Sequence, residues 1–284
     1  MVRDDAKKTN QVKIMASKMT MIIAVAAIAL VAVAGAAVFM LNNNDNSKTI
    51  NTIDDLKGAT IGVENGTTGD HFATEMYEKT GDATVKRYTT YPDLVMDLKN
   101  KKIDAIIMDK APAQAYVKKN SGIKILDAKL DTEAEEYAFV FKLSNTALKA
   151  QFDTALAQLK EEGKIAEIEE YWSQHLDGSA DPYIAETGTG STIKVGTSPD
   201  FPPYDAMYGT KFTGIDMDIV RAICNKLDLQ VQFINYDFDS IINAVEASAI
   251  DVGASGFSVT PERATQVLFS DAYTTTEQVV VVRA

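Results

Sequence analysis

Ser255-Gly256-Phe257-Ser258-Val259-Thr260-Pro261-Glu262-Arg263, entered from the apolar run Ile250-Asp251-Val252-Gly253-Ala254, decides how this chain folds. An apolar strand that runs into small hydroxyl residues and then an arginine sets polar groups at a strand's carboxyl end. Open α/β sheets take their ligands there. Traced backwards, this strand closes a unit that opens with Ile193-Lys194-Val195-Gly196-Thr197 and turns through residues 199–204. A helix-period segment then presents Ile219, Ile223 and Leu227, Val231-Gln232-Phe233-Ile234 forms the next strand, and a helix bearing Ile241, Ile242 and Val245 follows.

The same order stands earlier in the chain. Ala59-Thr60-Ile61-Gly62-Val63 turns at Asn65-Gly66-Thr67-Thr68-Gly69 into a helical segment with Phe72, Met76 and Tyr77 on one face. Strand 84–88, a helix with Leu94, Val95 and Leu98 inward, and the run Ile103-Asp104-Ala105-Ile106-Ile107-Met108-Asp109 complete it. Alternating βαβαβ units with short connections build mostly parallel sheets covered by helices, so two copies predict two α/β lobes. Residues 145–172 read as two helices, one striped by Leu148, Phe152, Leu156 and Leu159 and one by Ile165, Ile168 and Trp172, with Gly163 between. Residues 177–191 are rich in Gly, Ser, Thr and Asp without periodicity and read as a linker.

Composition narrows the function. The 284 residues are 46% hydrophobic with a formal net charge of -12. That charge argues against a nucleic-acid partner, which needs clustered Lys and Arg. The single cysteine, Cys224, excludes an internal disulfide and sits in a helical apolar pattern. His71 and His175 have no partners at metal-ligand spacing, so no zinc site, nucleophile pair, catalytic residue or cofactor is expected. From Met19 to Leu41 the chain is apolar and uncharged, and at about 1.5 Å per residue it reaches roughly 34 Å, enough to span a membrane. Arg3, Lys7, Lys8, Lys13 and Lys18 precede it, which places residues 1–18 in the cytoplasm and the remainder outside. A cleaved signal peptide is the alternative, but the run exceeds the usual apolar core of one, so an uncleaved anchor is preferred.

The stretch from Ser255 to Arg263, with Phe269-Ser270-Asp271-Ala272-Tyr273, resembles the ligand-binding region of the polar amino-acid solute-binding proteins, extracytoplasmic receptors that feed ABC importers. In that family this region lies in the first half of the chain. Here it comes last, and what usually follows it lies earlier, between about residues 51 and 172. The resemblance implies an α/β, two-lobed, type II periplasmic-binding-protein-like fold in circularly permuted order behind a transmembrane helix. After a linker at 42–50, one lobe would comprise 51–137 plus 277–284 and the other 138–276. The lobes would close about crossings near residues 137–139 and 272–276, in one monomeric chain.

By the same resemblance the ligand is a free polar amino acid and the protein partner the membrane subunits of an ABC importer. Arg263 would take the ligand's carboxylate, since its planar fork donates two parallel hydrogen bonds that Lys cannot reproduce; the alternative is a solvated surface charge. Pro261-Glu262 before it suits a helix's first turn. Ser258 and Gly256 belong to the same loop. Thr67 and Thr68 stand where exposed N–H groups favour an anion, or where Thr68 simply caps the helix. Asp109 matches the family's acceptor for the ammonium, with capping before Ala111-Pro112 as the alternative. Phe201 and Phe238 match the aromatic walls, or are core. Ser198 stands where the family often carries an acid, and Glu64 where the residue varies with ligand; a carboxylate there favours a cationic or amide side chain, or faces solvent. Two rival functions share this fold, an amino-acid sensing module and a small-acid dehydratase. The first would need a signalling region that 18 cytoplasmic residues cannot supply. For the second, Glu64 is the only general acid still unassigned.

Overall fold

The computed structural model describes residues 47–284. The expected cytoplasmic segment 1–18, the anchor 19–41 and the first part of linker 42–50 lie outside the described residues. Among the described residues no helix is long and apolar enough to cross a membrane.

The strands in the earlier part are β1 (Thr60–Glu64), β2 (Thr84–Tyr88), β3 (Ala105–Asp109), β4 (Ile123–Ile125), β5 (Glu135–Tyr137) and β6 (Val140–Lys142). The later strands are β7 (Thr192–Thr197), β8 (Ala206–Tyr208), β9 (Lys211–Thr213), β10 (Gln230–Asn235), β11 (Val252–Gly253), β12 (Val267–Phe269), β13 (Thr274–Thr276) and β14 (Gln278–Arg283). They form two five-stranded sheets, ordered β2-β1-β3-β14-β4 and β10-β7-β11-β6-β12. In each sheet the three βαβ strands run parallel, and strands from elsewhere in the chain add antiparallel. β3 is buried along its whole length, as expected where helices cover both faces of a parallel sheet. Each sheet with its helices is one lobe. The two chain crossings between lobes pair as a short antiparallel ribbon, β5 with β13.

Helices Thr146–Glu161 and Lys164–Gln174 pack on the lobe that holds β7, against helix Ile215–Lys226. Trp172 is fully buried there and donates its indole N–H to Asp218 (2.8 Å). Segment 177–191 has no regular structure but is pinned along that same helix. Tyr183 and Ile184 N–H groups donate to Asp218, and those of Thr187 and Thr189 donate to Asn225 and Asp228. At Gly188 a Cβ would come within 1.9 Å of the Leu229 carbonyl, so only glycine permits this approach.

β14 sits inside its sheet, between β3 and β4. Arg283 secures it, donating to the carbonyls of Ile103 (2.5 Å), Leu98 (3.1 Å) and Lys48 (2.8 Å) and to Asp104 (3.1 Å). The last strand therefore lies beside the first described residues. Ile50 is 3% exposed in the core of this lobe, so linker 42–50 ends before it.

Three local expectations are corrected. Met76 is 50% exposed, because residues Thr74–Glu78 form a π-helical turn that rotates it outward while Tyr77 stays buried. Pro261-Glu262 starts no α-helix, only a short 3₁₀ turn over Arg263–Thr265. Leu227 and Ile242 are half-buried, at the margins of their helices' apolar faces.

Candidate ligand-binding site

The carboxyl ends of the two sheets face each other, and between them lies a narrow cavity of about 10 Å³, room for little more than a water molecule as the lobes stand. All ten residues singled out from the sequence line it: Glu64, Thr67, Thr68 and Asp109 from one lobe, and Ser198, Phe201, Phe238, Gly256, Ser258 and Arg263 from the other. Asp200 and Ser255 line it as well.

Arg263 is buried, and its fork crosses the cleft. One nitrogen donates to the Ser258 carbonyl (2.9 Å), and the other to the Gly66 carbonyl of the opposite lobe (2.9 Å). Its guanidinium carbon stands 5.4 Å from the Phe238 ring centre and 5.5 Å from that of Phe257, within cation–π reach of both. Those two rings are stacked, 4.8 Å apart. Burial pushes the arginine's pKa down, opposed by the carboxylates of Glu135 and Asp109. Phe201 packs near Tyr91, Tyr137 and Tyr204 and is itself 7% exposed. Gly256 has a positive φ of 54°, and a Cβ there would meet the Phe201 ring at 2.6 Å. Its N–H donates to the fully buried Asp216 (2.8 Å), which holds the loop's shape.

Asp109 occupies the N-cap position of helix Lys110–Lys119, yet its side chain makes no capping hydrogen bond. Its Oδ1 is buried without a partner among the described residues. Burial, then the nearby Glu135 carboxylate, raises its pKa to about 7. Glu64 is 3% exposed, and its Oε1 likewise lacks a partner among the described residues. Its pKa stands well above the usual range, from burial first and then from the carboxylates of Asp200, Asp109 and Asp239. Unpartnered buried oxygens of this kind are energetically unfavourable until a donor reaches them.

The two threonines divide their work differently from the expected capping. Thr67 is the N-cap, accepting from the Asp70 N–H (3.1 Å). Thr68 donates instead to Glu135 (2.8 Å). Ser198 donates its hydroxyl to Asp200 (3.0 Å) and its N–H to the Ser255 hydroxyl (3.1 Å).

Two acids escaped the sequence reading. Asp200 lies two residues beyond Ser198, where an acid was sought at one position only. Its carboxylate accepts from the Tyr91 N–H of the opposite lobe (2.9 Å), and its carbonyl from the Tyr116 hydroxyl (2.7 Å). Glu135 belongs to the acidic run Glu133-Ala134-Glu135-Glu136, which carries no signal separating it from a solvated face. Among the described residues no group of His, Cys, Asp and Glu is arranged to hold a metal ion. Cys224 is buried, and burial pushes its thiol up to about 12.

Residues 193–284 match the family profile of bacterial extracellular solute-binding proteins, family 3. The chain is 34% identical over 97 residues to the arginine-binding extracellular protein ArtP of Bacillus subtilis (strain 168), covering 34% of this chain and 38% of that protein. It is 35% identical over 88 residues to a probable histidine-binding protein of Campylobacter jejuni, covering 31% and 34%. A solved structure of an ancestral arginine-binding protein bound to arginine is 41% identical over 26% of this chain and 34% of its own, with a TM-score of 0.26. The matches thus span well under two thirds of these relatives' length.

Proposed function

We propose that this chain, whose residues 193–284 match the profile of the bacterial extracellular solute-binding proteins of family 3, binds a free polar amino acid between its lobes and delivers it to an ABC importer. The observation that carries the reading is one closed cavity with an unpartnered buried carboxylate oxygen on Asp109 and a guanidinium on Arg263. A zwitterion answers both. Its ammonium supplies the donor that Asp109 lacks, and its carboxylate takes the Arg263 fork. Thr67, Thr68, Ser258 and Gly256 frame these two ends, while Phe201 and Phe238 cover the ligand's faces. Glu64 and Ser198, with Asp200, face the side chain; two acids there favour a cationic or amide group.

The exchanged order of the halves is part of the same reading. It is supported by the matched region standing last in the chain and by β14 returning to lie beside Lys48. The apolar segment 19–41 would hold the lobes at the outer face of the membrane, and the chain would act as a monomer. A raised pKa on Glu64 is the one observation that favours a dehydratase-like enzyme.

A thermal-shift screen of the full chain against the free amino acids, followed by titration calorimetry, tests the proposal. Saturable stabilisation with 1:1 stoichiometry is the expected result. The absence of stabilisation by any amino acid refutes it, and consumption of the ligand during titration moves the assignment to an enzyme.

A further inference from the structure

Glu135 lies on β5, in the ribbon that joins the lobes, and is not among the residues that line the cavity. Its carboxylate nevertheless collects groups from both lobes. Oε2 accepts from the hydroxyls of Thr68 (2.8 Å) and Ser258, and Oε1 from the Gln278 side-chain amide (3.0 Å). Gln278 also donates to the Thr68 oxygen (3.2 Å).

A hydroxyl has one hydrogen to give, and a carboxylate can only accept. Both hydroxyl hydrogens therefore point at Glu135, away from the cavity. Ser258, which lines the cavity, is left with lone pairs alone to offer a ligand, and Thr68 has one of its lone pairs already engaged. The donors that remain for a ligand carboxylate are then the Arg263 fork and backbone N–H groups. The acceptors are Asp109 Oδ1 and the Ser258 oxygen.

We propose that Glu135 is a positioning residue that makes Ser258 an obligate acceptor, so that the site discriminates for an ammonium over a neutral hydroxyl group. The inference rests on the amino-acid reading above. Without Glu135 the Ser258 hydroxyl rotates freely and can donate as well as accept. A 2-hydroxy acid then recovers a partner that the native site denies it.

Titrating the full chain with L-arginine and with its 2-hydroxy analogue tests this. In the native protein the amino acid binds more tightly. Glu135→Ala is expected to reduce that preference by roughly tenfold, about the worth of one hydrogen bond to a charged group. In a Ser258→Ala background, the same substitution should leave the remaining preference unchanged. Glu135→Gln keeps the size and one acceptor oxygen, and should fall between. Equal weakening of both ligands by Glu135→Ala, additive with Ser258→Ala, overturns the inference and reduces Glu135 to a structural contact. A native chain that binds neither probe nor any other free amino acid overturns the amino-acid reading, and this inference with it. Native binding with preference unchanged in both Glu135 variants overturns this inference alone.

Discussion

Asp109 and Arg263 approach the cavity from opposite lobes, and burial acts on both. For Arg263→Lys the ligand carboxylate loses its two-pronged donor, and for Asp109→Asn the ammonium loses its countercharge. Removing one member of a buried charge pair costs about 3–5 kcal/mol, so calorimetry should show affinity falling by roughly two to three and a half decades for Asp109→Asn. Arg263→Lys keeps its charge and loses one charge-assisted hydrogen bond, about 1.5–3 kcal/mol or roughly one to two decades. Glu64→Gln should instead leave binding intact and change which amino acid binds best in a competition panel. Asp109 also predicts a pH dependence. Its folded pKa of about 7 exceeds the ordinary 3.8, so the folded state holds the proton more tightly than the unfolded chain. Its contribution to stability is fully present below about 3.8 and is lost as pH rises to about 7. At about 1.4 kcal/mol per unit, that slope amounts to at most about 4 kcal/mol. Thermal melts of the protein without added ligand should therefore weaken across that window, and Asp109→Asn should flatten part of the trend. Glu64, Asp200, Asp205, Asp216 and Asp218, whose pKa values burial also raises, keep the rest. At this scale, Asp109 was legible as a charge ending an apolar strand, and Arg263 only through the resemblance carried by the stretch from Ser255 to Arg263, since a lone arginine there reads as a solvated surface charge. Glu135 was not, because its partners Thr68, Ser258 and Gln278 come from three distant places in the chain and meet only in the folded state.

Elements that bury a continuous apolar stripe were read well. Strand Thr84–Tyr88 and helix Tyr91–Lys99 fall where residue periodicity put them, with Leu94, Val95 and Leu98 buried. The failures share a cause, since a local pattern gave way to a geometric demand from outside the element. Around Met76 a π-helical turn adds a residue to the helical repeat, which no apolar count reveals. After Pro261 the chain stops at a 3₁₀ turn, with the Arg263 side chain drawn across the cleft to Gly66. Nor does periodicity say that β14 will insert between β3 and β4. That placement depends on Arg283, whose guanidinium satisfies three carbonyls and Asp104 at once. Arg283→Ala should leave those buried acceptors short of donors and lower stability by about 1–3 kcal/mol in urea unfolding. Amide exchange should then quicken first in β14 and β4, the two strands of this sheet outside its βαβ unit.

Two lobes, two crossings and a short passage between Lys48 and Arg283 make the whole molecule tolerant of being cut and rejoined. Joining residue 284 to residue 48 through a few glycines, and opening the chain within 177–191, should preserve both sheets. The new ends would still lie along helix Ile215–Lys226, where surface termini are tolerated. Titration of that rearranged chain should give an affinity close to the native one. Loss of binding there would mean that the native order of the segments itself shapes the cleft.

The contacts that cross the cleft carry one more consequence. Arg263 reaches Gly66, Tyr91 and Tyr116 reach Asp200, and at the exposed rim Asn65 donates to Asp239 (2.5 Å). A molecule enclosed behind these contacts cannot diffuse out until the lobes part, so its residence time is set by how fast they part and not by its own grip on the walls alone. Asp239 lies outside the enclosed cavity, and Asp239→Ala removes the rim contact together with one of the carboxylates that raise the pKa of Glu64. Stopped-flow displacement should show the dissociation rate rising about two- to tenfold, as expected for one ordinary hydrogen bond, while the association rate changes less. On the amino-acid-binding reading proposed above, the rim would thus be the throttle on release of the enclosed molecule.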